Sequence, residues 1–146
     1  MSGTTSDAQH VSTGFLMWRA SNAWQRAQRV ALEPLGITHV QYALLAVLAA
    51  DDAKRGLSQA EISGRSGVDP MTTSQVIRNL EGRQLVLRTA SETDRRAQQV
   101  SLTASGRALV RKAQPKVDRT DADFFAAIGR QQSAVAGALA TLAADR

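Results

Sequence analysis

Between Leu57 and Leu102 the chain changes its punctuation from helical to hairpin, and few folds accommodate that order. Ser58 is followed three residues later by Glu61, the arrangement in which a hydroxyl and an acid cap the first free amides of a helix reciprocally. A short helix therefore starts at about Ser58 and ends near Ser66-Gly67, where glycine takes the left-handed conformation that stops it. Asp69-Pro70 starts the next helix with a capping side chain and a ring already set to helical φ. Two short helices thus meet across a tight turn.

The second of them, Pro70 to about Gly82, places Thr73, Val76, Ile77 and Leu80 on one face at the helical period. Met71, Thr72, Ser74, Gln75, Arg78 and Asn79 are left on the other face, which carries no acid before Glu81. A solvated helix face is ordinarily rich in Glu and Lys. A short polar face without acids instead suits close approach to a polyanion and hydrogen bonding to base edges. Leu85 to Thr89 and Gln98 to Leu102 are β-prone runs flanking the polar stretch Ala90 to Ala97, which predicts a hairpin. Asp94, Arg95 and Arg96 fall at or just past its tip. There the guanidinium groups can reach phosphates or enter a narrow minor groove, and Asp94 can hold the loop through backbone or arginine contacts. The predicted class is mainly α with a small β-hairpin wing, a winged helix-turn-helix with N- and C-terminal dimerisation helices.

The charge distribution points the same way. Residues 54–112 hold eleven Lys/Arg against five Asp/Glu, a net of +6, whereas residues 1–53 carry three against four and residues 113–146 four against four. A basic excess confined to one segment suits phosphate attraction and implies salt-dependent affinity. The arginines are spread over helices and hairpin, not gathered on the single basic amphipathic helix that a membrane surface would need. The absence of cysteine excludes disulfides, thiolate metal sites and thiol-based peroxide sensing. No run approaches a membrane span and the first residues lack the regions of a signal peptide, so the expected location is the cytoplasm. His10 and His39 are the two histidines, and no nucleophile-base-acid set or metal-ligand spacing accompanies them. No enzyme activity, metal or cofactor is expected.

The flanking segments read as support. Residues 1–10 are small and polar, a disordered lead-in. Val11 to about Leu35 reads as a long helix whose Val11, Phe15, Leu16, Trp18, Trp24, Val30 and Leu32 make an apolar surface too broad to stand without partners. Thr38 caps the next helix, Val40 to about Ala50, whose Ala43, Leu44, Leu45, Val47 and Leu48 are expected to be buried. A long helix follows Thr103 and runs towards Phe124, Phe125 and Ile128, with Pro115 predicting a bend or break. Gln131 to Ala144 is alanine-rich, with Val135, Leu139 and Leu142 on one stripe. Residues 11–36 and 103–146 are thus expected to dimerise and 37–102 to form the DNA-binding lobe. The dimer would set two recognition helices about 34 to 36 Å apart.

Taken together, these residues resemble the MarR family of bacterial winged-helix transcription regulators. The resemblance runs through Gly36-Ile37-Thr38-His39-Val40-Gln41-Tyr42 and its apolar helix, Leu57 to Ile62, Asp69 to Val76, Asp94-Arg95-Arg96, and Leu102-Thr103-Ala104-Ser105-Gly106-Arg107. It implies a homodimer on double-stranded DNA with a pseudo-palindromic operator, usually a repressor, relieved by a small ligand or an oxidant. The DNA-contact set is then Ser58, Met71, Thr72, Ser74, Gln75, Arg78, Asn79, Arg88, Asp94, Arg95 and Arg96. By the same analogy a small aromatic or amphipathic effector would lie in a crevice near Phe15, Trp18, Asn22, His39 and Tyr42. The alternative for these aromatics is dimer core, the commoner use of large rings. One departure stands out: where the family commonly has glycine before the first wing strand, this chain has Gln84, with Gly82 two residues earlier. The recognition helix must end early or force Gln84 into a strained conformation. A winged-helix module that docks proteins without specific DNA binding is the alternative function, since fold alone does not decide it.

Overall fold

The computed structural model describes residues 11–51, 55–91 and 98–144. Helix α1 spans Thr13–Leu32 and a 3-10 turn, Glu33–Leu35, carries it to Gly36, whose φ of 68° turns the chain. Helix α2 spans His39–Ala49, α3 Gln59–Ser66 and α4 Pro70–Gly82. Strands β1, Val86–Ala90, and β2, Gln98–Leu102, pair antiparallel in the register Val86 to Leu102 through Ala90 to Gln98. Helix α5, Ala104–Phe125, leads through a second 3-10 segment into α6, Gln132–Ala143. The order is that of a winged helix-turn-helix, mainly helical with a two-stranded wing.

One core fills the lobe formed by α2, α3, α4, the hairpin and the start of α5. Leu44, Leu45, Leu48, Ile62, Ile77, Leu80, Val86 and Val100 are buried together there. Each such side chain contributes about 1.5 to 3 kcal/mol of transfer free energy. Leu57 extends the sheet by one bridge, exchanging N–H to carbonyl hydrogen bonds of 2.9 and 2.7 Å with Val100. A second, smaller core of Leu32, Ile37, Tyr42, Ala113 and Val117 joins α1 and α2 to α5.

Two expectations about backbone are corrected or resolved here. Pro115 does not break α5, which runs through it from Ala104 to Phe125. Proline removes one helical N–H, and both Pro115 and Arg111, whose carbonyl that N–H would have reached, are exposed residues, while Ala113 and Val117 pack on the core to either side. The break falls instead at Gly129, whose φ of 54° and ψ of −122° separate α5 from α6. The end of α4 takes the second of the two predicted outcomes. Gln84 has φ 59°, alone among the described non-glycine residues in being positive. The Leu85 N–H donates to the Leu80 carbonyl at 3.0 Å and the Gln84 N–H to that of Glu81 at 2.9 Å. These are the two bonds of a Schellman stop, with Leu85 and Leu80 in the same buried cluster, and Gln84 fills the left-handed position that glycine usually takes. We expect Gln84→Gly to raise the unfolding free energy by about 0.5 to 1 kcal/mol, read by urea titration, because relief of the left-handed strain exceeds glycine's added chain entropy.

Candidate nucleic-acid interface

Capping fixes the start of both helices of the turn. The Ser58 hydroxyl accepts from the Glu61 N–H at 3.1 Å, and the Glu61 carboxylate accepts from the Ser58 N–H at 3.3 Å. Gly67, at φ 74°, stops α3. Asp69 then accepts from the Thr72 N–H at 2.8 Å. Hydrogen bonding from Thr72, side chain first and backbone second, holds the Asp69 carboxyl below its usual range, so the cap is ionised at neutral pH. Between the helices, the Val68 carbonyl accepts from the Ser63 hydroxyl at 2.6 Å and the buried Thr73 hydroxyl at 3.3 Å. That carbonyl pins the turn from both sides, which explains a hydroxyl on the buried face of α4.

The outward face of α4 presents Met71, 74% exposed, with Gln75 and Arg78 also exposed and Thr72 and Ser74 half-buried between them. Arg78 lies back along the helix, its Nη2 donating to the Ser74 hydroxyl at 3.1 Å. Asn79 is exposed but engaged: its Oδ1 accepts from Gln41 Nε2 of α2 at 2.8 Å. Arg88 is placed differently from the rest of the expected contact set. Its side chain is only 22% exposed and its Nε lies 3.3 Å from the Glu81 carboxylate. With its amide oxygen turned towards Arg88, Gln59 accepts from both Nη atoms at 3.1 Å. Arg88 therefore braces β1 against α3 and α4. Asp94, Arg95 and Arg96 lie outside the described residues.

Of the five expected effector residues, His39 and Tyr42 have rings in contact with each other. Phe15 and Trp18 stand exposed on the first turns of α1, and Asn22 is half-buried. His39 instead faces Trp24, about half a turn of helix from the Phe15 face, and Tyr42 lies beside His39. The His39 ring meets Trp24 edge-on at 4.6 Å between centroids and Tyr42 at 6.2 Å. Burial holds His39 below its usual pKa against the opposing pull of Asp121; burial, then Asp118 and Asp121, raises Tyr42. Trp24 Nε1 and Gln28 Nε2 both donate to Asp121 Oδ1 of α5, at 2.7 and 2.8 Å. Gln28 is fully buried, and among the described residues its Oε1 has no hydrogen-bond partner. The sequence placed Trp24 on the apolar surface of the first helix but singled out neither Gln28 nor Asp121 as its polar partners. The signal was the four-residue spacing Trp24, Gln28, Leu32, an inward stripe distinct from the Phe15, Trp18, Asn22 stripe.

Among the described residues no three His, Asp or Glu side chains group as metal ligands, and no single helix is long and apolar enough to cross a membrane.

The chain is similar to known proteins over most of its length. The family model described as MarR family matches residues 37–97. The HTH-type transcriptional regulator YdcH of Bacillus subtilis is 33% identical over 132 residues, 88% of each chain. The p-coumaroyl-CoA complex of CouR from Rhodococcus jostii RHA1 superposes with a TM-score of 0.75 at 32% identity, covering 88% of this chain and 87% of that one. The repressor CouR on a 23-mer DNA duplex gives 0.81 at 30% identity, with 91% and 93% covered. The Mycobacterium tuberculosis protein Rv2887 in complex with salicylic acid gives 0.71 at 32% identity, with 92% and 98% covered.

Proposed function

Because the chain belongs to the MarR family, we propose that it is a sequence-specific, homodimeric DNA-binding transcription regulator, a repressor released by a small-molecule effector. The observation that carries this reading is the capped helix pair, whose second helix turns an acid-free face with Met71, Gln75 and Arg78 to solvent. Thr72, Ser74, Gln75 and Arg78 read base edges in the major groove, with Met71 beside them for apolar contact. Ser58, at the start of α3, and the wing arginines Arg95 and Arg96 hold the backbone or minor groove. Asn79 and Arg88 act by holding elements of the lobe together, Asn79 through Gln41 and Arg88 through Glu81 and Gln59. Residues 37–102 form this DNA-binding lobe, and 11–36 with 103–146 pair it with a second copy. The protein works by binding and not by catalysis, in the cytoplasm where its DNA is.

CouR and Rv2887 have been crystallised with p-coumaroyl-CoA and salicylic acid respectively. For this chain we favour a small aromatic or amphipathic effector near His39 and Tyr42, where an aromatic wall adjoins buried polar atoms. Phe15 and Trp18 fit the dimer interface better.

Selection of duplexes from a random pool at near-physiological salt, followed by anisotropy titration against scrambled DNA, tests the reading. We expect an inverted repeat, bound by a dimer. Gln75→Ala should lower affinity for that repeat by about tenfold and leave scrambled DNA unchanged. Arg95→Ala and Arg96→Ala should weaken both and each reduce the salt slope by about one unit. Binding that enriches no motif and fades with salt would favour a protein-docking wing instead.

A further inference from the structure

The carboxamide of Gln41 does two things at once. Its Oε1 accepts from the Thr38 N–H at 2.9 Å while the Thr38 hydroxyl accepts from the Gln41 N–H at 3.1 Å, closing the capping box that starts α2. Its Nε2 donates to Asn79 Oδ1 on α4 at 2.8 Å, across 38 residues of sequence. The first turn of α2 therefore shares one planar group with the recognition helix. A carboxamide is rigid, so a displacement of the cap displaces the donor as well.

Its neighbours make this placement consequential. His39 is the first residue of α2 and Tyr42 lies one turn on, so in sequence Gln41 stands between the His39 ring, which meets Trp24, and the Tyr42 ring, which meets His39. A second strut runs parallel to it: Arg83, just past α4, donates through Nη1 to the Gly36 carbonyl at 3.0 Å, where α1 gives way to α2. Both ends of the connection between α1 and α2 are thus tied to the last two turns of α4.

We infer that Gln41 is a positioning residue that ties the DNA-reading helix to the first turn of α2 through Asn79, so that the surroundings of His39 and Tyr42 and the seating of α4 on DNA are coupled. The inference rests on the regulator reading above. It gives Asn79 a role different from base readout, because its carbonyl is turned towards Gln41 and its effect on DNA affinity passes through that contact. Coupling of this kind is reciprocal: whatever shifts α2 alters DNA binding, and DNA binding alters the environment of His39.

A double-mutant cycle in the full chain tests the tie, using the inverted-repeat duplex recovered by selection. Gln41→Met removes the donor at similar length, and with it the Oε1 acceptor of the α2 cap; Asn79→Ala removes the acceptor of the tie while leaving that cap intact. We expect each to weaken repeat binding by about tenfold and the double variant to lose no more than the worse single one, as for residues acting through one contact. The second readout is the imidazole resonance of His39, one of two histidines in the chain. Saturating repeat DNA should shift it in the wild type, and both single variants should lose at least half of that shift. Additive losses of about a hundredfold in the double variant, or a His39 shift that is absent in the wild type or unchanged in Gln41→Met, would overturn the tie. Failure of the wild type to prefer the repeat over scrambled DNA would instead remove the regulator reading itself.

Discussion

Gly106→Ala is expected to destabilise the protein by about 3 kcal/mol, lowering the thermal midpoint by about 10 °C. In most helices the same change stabilises by about 1 kcal/mol, because alanine is the better helix former. The sign reverses here because Gly106 is buried in the first turn of α5, directly against the backbone where α4 passes into the wing. A Cβ on it would run into the Leu85 carbonyl oxygen far inside contact distance and lie 3.1 Å from the Leu85 carbonyl carbon and 3.2 Å from Leu102 Cδ2. Backbone cannot step aside as a flexible side chain can. That same Leu85 carbonyl accepts from the Thr103 N–H at 3.1 Å, and the Thr103 hydroxyl accepts from the Gly106 N–H at 3.0 Å and donates to the Gln84 carbonyl at 2.7 Å. Moving α5 outward would therefore strain the helix cap and both ends of the wing together. Gly64→Ala in α3 is the control, since nothing lies within 4 Å of the added carbon. Urea titration of both variants settles the account: equal effects of the two substitutions would show that close approach at Gly106 is not what requires glycine.

The second large effect is on assembly. We expect Trp18→Glu to weaken dimerisation by more than about a hundredfold, because an unpaired charge would be buried in the interface. Every residue from Val11 to Ala20 is exposed, and Trp18 is 64% exposed. With Phe15, Leu16 and Met17 this half of α1 is apolar nearly all round, a composition that a lone surface helix does not sustain. Helix α6 has no buried residue either, and its Leu142 is 57% exposed. A second copy covering both accounts for two unpartnered helices by one interface. Sedimentation over a range of concentrations reads the dimer directly. Affinity for the repeat should fall in parallel, since a monomer holds one half-site. A Trp18→Glu protein that stays dimeric at nanomolar concentration would place Trp18 outside the interface and return it to the effector crevice.

Much of the lobe that carries the paired helices and the hairpin was legible because its determinants are local. Ser58 with Glu61, Asp69 with Pro70, and Gly67 act within one turn of themselves, so their spacing in sequence is nearly their geometry in space. The stop at Gln84 was legible as a conflict, and its resolution needed the structure: the Leu85 to Leu80 bond and their shared burial over-determine a conformation that glutamine alone avoids. Pro115 shows the opposite case, in which a strong local signal for a break is overridden by the packing of Ala113 and Val117 on either side.

The amino-acid sequence by itself determined the order of elements, the face of α4 turned outward and the segment that carries the positive charge, because periodicity, capping and charge count are properties of neighbours along the chain. Only the tertiary structure decided which polar groups remain free to act. It committed Arg88 to Glu81 and Gln59, turned Asn79 towards Gln41, and set His39 against Trp24. Those outcomes depend on which helices meet across tens of residues. A hydrogen bond or ion pair is satisfied by whichever partner the packing brings within about 3 Å, and no local pattern names that partner in advance.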